Sequence, residues 1–71
     1  MKRIVAANRI ITPDSSVVSL GVVELENREV SRVSRLDGEQ PFTEWLGGTI
    51  SIRRSADGTM AAYKDGRQLT A

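Results

Sequence analysis

Hydrophobic residues of this chain come in short runs that are rich in β-branched side chains and separated by turn-forming residues. The first run predicts a strand over Arg3–Thr12, closed by the turn cluster Pro13–Ser16. The next two runs, Val17–Leu25 and Val30–Leu36, predict a hairpin. Asn27, in the short turn between them, is the residue best suited to a positive φ.

The second half of the chain continues the same pattern after a predicted polar loop over Asp37–Pro41. Further strands are predicted over Thr43–Arg54 with a break at Gly47-Gly48, and over Ser51–Ser55, Thr59–Lys64 and Arg67–Thr70. Asp57-Gly58 and Asp65-Gly66 are hairpin signals. Because no window shows a capped apolar period of 3.6 residues, the fold class predicted is all-β. We expect a small sandwich or partly open barrel of five to seven short, mostly antiparallel strands, formed by a single domain over residues 1–71.

Apolar residues of the first predicted strand do not alternate cleanly between its two faces. A bulge near Ala7-Asn8, or a strand covered on both sides, would explain this pattern. Gly21, in the middle of the second strand, predicts either a bulge or a close approach of the backbone to a neighbour.

The second predicted strand alternates better, and its two sides can be separated by residue parity. One side carries Val18, Leu20 and Val22. The other side carries Val17, Ser19, Val23 and Leu25, and it has few charges.

The chain has neither cysteine nor histidine among its 71 residues. Disulfides, zinc fingers and the usual Ser or Cys catalytic triads are therefore excluded. The aspartates stand beside Gly, Ser or Pro, where turn formation explains them better than acid–base catalysis does. The sequence predicts that this protein is not an enzyme and needs no cofactor or metal.

A net charge of +1 creates no strong field toward nucleic acid or an anionic membrane. Five arginines could form a basic stripe, but solvated strand faces explain them better because few aromatic residues accompany them. They are Arg28, Arg32, Arg35, Arg53 and Arg54. No run is long enough to span a bilayer, and Asn8 and Arg9 break the apolar stretch that a signal peptide would need. We expect a cytoplasmic protein with no membrane contact.

The opening stretch Lys2–Asp14 consists of an apolar strand, a small residue with Asn, a second apolar pair, and then Thr, Pro and Asp. This pattern resembles the start of the amidohydrolase superfamily of metal-dependent hydrolases. The hairpin Gly21–Val33 is similar to that family's "V-x-V-E-x-G-R-I-x-x-V" hairpin, and Gly47–Ile50 to its Gly-Gly-Thr-Ile stretch. The resemblance covers roughly residues 2–50. It implies half of a small β-sandwich that, in the family, stands beside a metal-bearing TIM barrel.

This chain departs from the family where the barrel should begin, because Ser51–Ser55 replaces the strand that ends in His-x-His. The segment Tyr63–Leu69 is similar to the family's closing "V-x-x-x-G-K-x-V" strands. The resemblance therefore implies a sandwich whose halves are joined at Asp57-Gly58, with the barrel absent. No catalytic or metal-binding residue carries over, and the hairpin Asn27-Arg28 differs from the family's Asp/Asn-Gly.

Together these observations favour a non-catalytic structural or protein-interaction module that forms a homo-oligomer, most simply a dimer, or binds a larger protein. The residues predicted to contact the partner are Trp45, Val17, Val23 and Leu25. For Trp45, anchoring of the core is the competing role. Two other functions remain open: a barrel that binds a small molecule or nucleic acid through its arginines and Trp45, and an accessory subunit of a separately encoded metal-dependent hydrolase.

Overall fold

Seven strands form the fold in a computed structural model that describes residues 1–38 and 42–71. They are β1 (Lys2–Ile11), β2 (Val17–Glu26), β3 (Glu29–Arg35), β4 (Thr43–Trp45), β5 (Thr49–Arg54), β6 (Met60–Lys64) and β7 (Arg67–Leu69). The described residues contain no helix. The all-β prediction and its strand number are confirmed. Residues 39–41 of the predicted polar loop lie outside the described part of the chain.

Four tight turns have the chemistry that the sequence predicts. Asn27 adopts φ 55° between β2 and β3, and Asp65 and Gly66 both take positive φ between β6 and β7. The β5–β6 turn is closed by Asp57, whose Oδ1 accepts bonds from the Thr59 N–H and hydroxyl at 3.1 and 2.8 Å.

The β1–β2 turn is also closed by hydrogen bonds to an aspartate side chain. Asp14 Oδ1 accepts bonds from the Thr12 hydroxyl and from the Ser16 N–H, the latter at 3.1 Å. Ser15, between them, is forced to φ 71°.

The sheet order is β3-β2-β1-β5-β6-β7, and β4 pairs with β1 outside this path. Most pairs are antiparallel, but β1 runs parallel to both β4 and β5. Strict hairpin order therefore fails after β3, because the chain crosses back to the far edge of β1. The prediction of mostly antiparallel strands is confirmed.

The sheet curls over one apolar core without closing into a barrel. Its central residues are buried with almost no exposed surface: Val5, Ala7, Ile10, Val23, Leu25, Ile50, Ile52 and Ala62. Because β3 approaches β6 without pairing with it, the two ends of the curled sheet face each other across a gap. The fold is thus an open, sandwich-like sheet.

The inward-facing side of β1 and β2 changes at the level of Asn8 and Leu20. Along β1, the side chains of Val5 and Ala7 face the core, and the next one to do so is that of Ile10. The inward-facing positions therefore change from odd to even residue numbers between Ala7 and Ile10. The β1–β2 register is constant, so no bulge interrupts β1 itself. The consecutive burial of Val5, Ala6 and Ala7 instead supports a strand covered on both faces.

Gly21 makes the close approach that its position in mid-strand predicts. A Cβ added to Gly21 would stand 2.2 Å from Cγ1 of Ile10, which is itself fully buried. Glycine is therefore needed here for space, and the backbone of β2 packs directly on a core side chain.

Candidate functional site

The outer face of the β4–β1–β2–β3 layer, which points away from the core, carries the exposed tryptophan. Strand pairing places Trp45, Ala6, Val22 and Ser34 side by side in one row, which we call the Trp45 row. Ala6 and Val22 are 1% exposed although they do not belong to the core cluster. Two small buried residues therefore lie between a half-exposed indole and the β3 side of this face.

Short β4 is held in place by a bulge that joins it to β5. Leu46 N–H donates to Ala6 O at 2.8 Å, and Arg9 N–H donates to Gly48 O at 3.1 Å. Between these bonds, Leu46, Gly47 and Gly48 oppose only Ala7 and Asn8. The predicted break at Gly47-Gly48 is thus confirmed as a bulge with an extra residue, and both glycines have a positive φ.

The side chain of Asn8 completes this bulge, since its Oδ1 accepts a 2.8 Å bond from the Gly48 N–H. A Cβ on Gly47 would stand 3.6 Å from both Asn8 Oδ1 and Trp45 Nε1. Gly47 therefore keeps the indole, the amide and the bulge close together.

Charged side chains at the edge of this layer are paired within the chain. Lys2 Nζ lies 2.8 Å from Glu24, and Arg3 binds Glu44 through two 3.0 Å bonds. The Lys2 hydrogen bond lowers the pKa of Glu24, and the Arg3 hydrogen bonds lower the pKa of Glu44. Both carboxylates therefore stay ionised. The register places Lys2 and Glu24 on the same face as the Trp45 row and Glu44, opposite Val5, on the other face.

The four residues predicted to share one contact surface do not do so. Trp45 and Val17 are 55% and 56% exposed, whereas Val23 and Leu25 have no exposed surface and belong to the core. The prediction for Val23 and Leu25 is wrong because their side of β2 faces inward, and the parity switch at Leu20 separates them from Val17. Val17 lies opposite Ile11 and Trp45 opposite Ala6, so about 16 Å of strand divides the two exposed residues.

Sequence reasoning missed two exposed apolar residues, Leu20 and Phe42. Leu20 is 50% exposed with φ 51°, and Phe42 is 93% exposed with φ 61°. No local signal marks either residue, since leucine and phenylalanine are rarely chosen for left-handed backbone.

No group of three or more acidic residues that could hold a metal occurs among residues 1–38 and 42–71. Within the same residues, no helix is long and apolar enough to cross a membrane.

Comparison with known proteins gives no relative: no family model, no curated protein and no solved structure matches this chain.

Proposed function

We propose that this protein is a non-catalytic interaction module that forms a two-fold dimer through the outer face around Trp45. The observation that carries the proposal is the half-exposed indole beside Ala6 and Val22, two small residues buried outside the core. An exposed tryptophan is a frequent anchor of protein interfaces. The absence of histidine and cysteine supports the non-catalytic part of the proposal.

A second copy of this chain is the partner that the charges favour. On this face the pair Lys2–Glu24 is neutral, so these side chains cause no net repulsion when two identical faces meet. The described residues extend over 35 × 27 × 19 Å, and a broad side of that size can supply the ~800 Å² per partner of a standard interface.

The amidohydrolase resemblance is part of the same proposal. In that family the sandwich packs against a barrel, and here a second copy takes the place of the barrel. Self-association also supplements the stability of a 71-residue chain that has no cysteine for a disulfide. We propose the cytoplasm as its location, which rests on the sequence alone.

Sedimentation equilibrium at micromolar concentration tests the dimer, with Trp45→Ser and Val17→Ser as a matched pair. The two side chains are almost equally exposed, but Trp45 lies in the row at the centre of the proposed interface and Val17 lies about 16 Å away, toward its margin. We expect wild type and Val17→Ser to be dimers and Trp45→Ser to be a folded monomer. A monomeric wild type, or equal effects of the two substitutions, would refute the proposal.

Tryptophan fluorescence gives a second readout, because the chain contains one tryptophan. Dilution below the dimer dissociation constant should shift the emission to longer wavelength as the indole becomes hydrated. An emission maximum that does not change with concentration, in a sample that sediments as a dimer, would place the interface elsewhere.

A further inference from the structure

The edge of β3 is the second surface of this molecule with unused binding capacity. Among the strands that the structure describes, β3 ends the sheet and pairs only with β2. The Leu36 N–H donates to Leu20 O at 2.6 Å, so Leu36 and Leu20 form a hydrogen-bonded pair of the antiparallel ladder. This pair determines which alternate residues of β3 bond to β2. Because antiparallel pairs alternate, the N–H and C=O groups of Val33 and Arg35 point away from β2.

An open cleft of about 740 Å³ runs beside this edge. Ser31, Arg32 and Val33 form one wall, and Ile52, Arg54 and Met60 form the other, with the β1–β2 turn at one end. Val33 and Met60 pack against the core, and Ile52 belongs to it, so the floor is apolar. The volume is that of a site for a small ligand or a few peptide residues.

Positive charge surrounds this cleft. Arg32 and Arg54 line it, and Arg35 follows on the same edge strand. The nearby carboxylate of Asp14 is engaged by Thr12 and Ser16. Two β3 edges in antiparallel contact would bring like charges together, which disfavours a second copy and favours an acidic segment.

We propose that the β3 edge binds an extended acidic segment of a partner protein by strand addition. Its backbone pairs with Val33 and Arg35, an apolar side chain lies on Ile52 and Met60, and its carboxylates lie near Arg32 and Arg54, which line the cleft. A nucleic acid is less suitable because no described residue lining the cleft is aromatic. This site uses the open edge of β3, whereas the Trp45 row, which ends at Ser34 of β3, uses the outer face of the sheet, so neither proposal depends on the other.

The test uses an acetylated, amidated hexapeptide that alternates aspartate and valine, with a lysine–valine hexapeptide as its control. Titration of the ¹⁵N-labelled protein followed by NMR should shift the Val33 and Arg35 amides for the acidic peptide only. Amide hydrogen exchange at Val33 and Arg35 should slow on binding. Exchange at Ser34, whose N–H already faces β2, should change little.

A charge-reversal pair then locates the site. Arg54→Glu should weaken acidic-peptide binding about tenfold or more, whereas Arg67→Glu, on exposed β7, should leave it within about twofold. The same titration of Trp45→Ser separates this proposal from the dimer, because peptide binding should persist in a monomer. Equal binding of the lysine peptide, no response at Val33 and Arg35, or displacement by a short oligothymidylate would overturn the proposal.

Discussion

The strands on the two sides of β1 bend at the same level by different means. On one side, β4 and β5 are joined by an extra residue, with Gly47 at φ 71° and Gly48 at φ 65°. On the other side, β2 keeps its register with β1 and bends at Leu20, which has φ 51°. The bend between β4 and β5 needs glycine and one inserted residue. The bend in β2 places a bulky residue in a strained conformation and adds nothing to the chain.

This difference sets what each bend requires of its neighbours. The Gly47-Gly48 bulge is anchored by the side chain of Asn8, whereas Leu20 is followed at once by Gly21, which packs on Ile10. One side therefore depends on a hydrogen bond and the other on space. Substitutions can test the two dependences separately.

The largest effect is expected on the β2 side, from Gly21→Ala. The added methyl group meets fully buried Ile10, and overpacking of this kind costs about 3 kcal/mol of unfolding free energy. For a domain of this size the melting temperature should fall by roughly 15 °C. Thermal unfolding followed by circular dichroism measures the change.

Gly38→Ala is the matched control for this clash, because a Cβ there meets open space while φ is 70°. It should cost about 1 kcal/mol, from backbone strain alone. Combining Gly21→Ala with Ile10→Ala should cost less than the sum of the two single changes, since the clash is then removed. Strict additivity would show that Ile10 is not the obstacle.

On the β4–β5 side, Asn8→Ala should cost about 1 kcal/mol of unfolding free energy because the Gly48 N–H loses its acceptor. Asn8→Asp keeps an oxygen at the same position and should remain near wild type. Chemical denaturation compares the three proteins. If both variants lose equal stability, the amide group itself matters rather than its acceptor oxygen.

These cases show what the sequence can and cannot predict in this fold. The turns at Asp57-Gly58 and Asp65-Gly66, and the break at Gly47-Gly48, follow from local chemistry and were predictable. The parity switch at Leu20 has no local signature, because leucine rarely adopts the positive φ that it has there.

The consequence for the candidate site follows from that switch. Simple alternation along β2 predicts that Val23 and Leu25 share a contact surface with Val17, whereas the switch at Leu20 places them in the core. The chemistry of Trp45 marks it in the sequence as a candidate contact residue, and the structure shows that it is 55% exposed. Its buried neighbours Ala6 and Val22 could not be recognised in this way, because strand pairing over about 40 residues creates the row.

A smaller effect isolates the strain at Leu20. Leu20→Gly should be more stable than Leu20→Ala by about 1 kcal/mol, because only glycine adopts a positive φ without cost. At Val18, on the same strand, the order should reverse, with glycine below alanine by about 0.5–1 kcal/mol. Urea midpoints of the four variants decide this. The same order at both positions would mean that Leu20 carries no strain.

The smallest effect concerns acid, and it arises in a turn remote from both bends. Bonds from the N–H and hydroxyl of Thr59 lower the pKa of Asp57 below its ordinary value of 3.8. A lowered carboxyl pKa contributes stability above pH 3.8, and that contribution is lost as the pH falls through the folded-state value. Asp57→Asn should therefore flatten the decline of melting temperature between about pH 5 and pH 2. An unchanged acid profile would argue against these bonds.

The parallel pairing of β1 also determines the order in which the molecule can assemble. β1, β2 and β3 follow one another and can form a meander as soon as residue 35 is available. The other edge of β1 stays open until residues 43–54 arrive, because β4 and β5 are its partners there. During synthesis or refolding, that edge displays unpaired backbone next to buried apolar residues. We therefore expect closure of β1 by its distant partners to be the slow step of folding, and the interval in which aggregation competes with it.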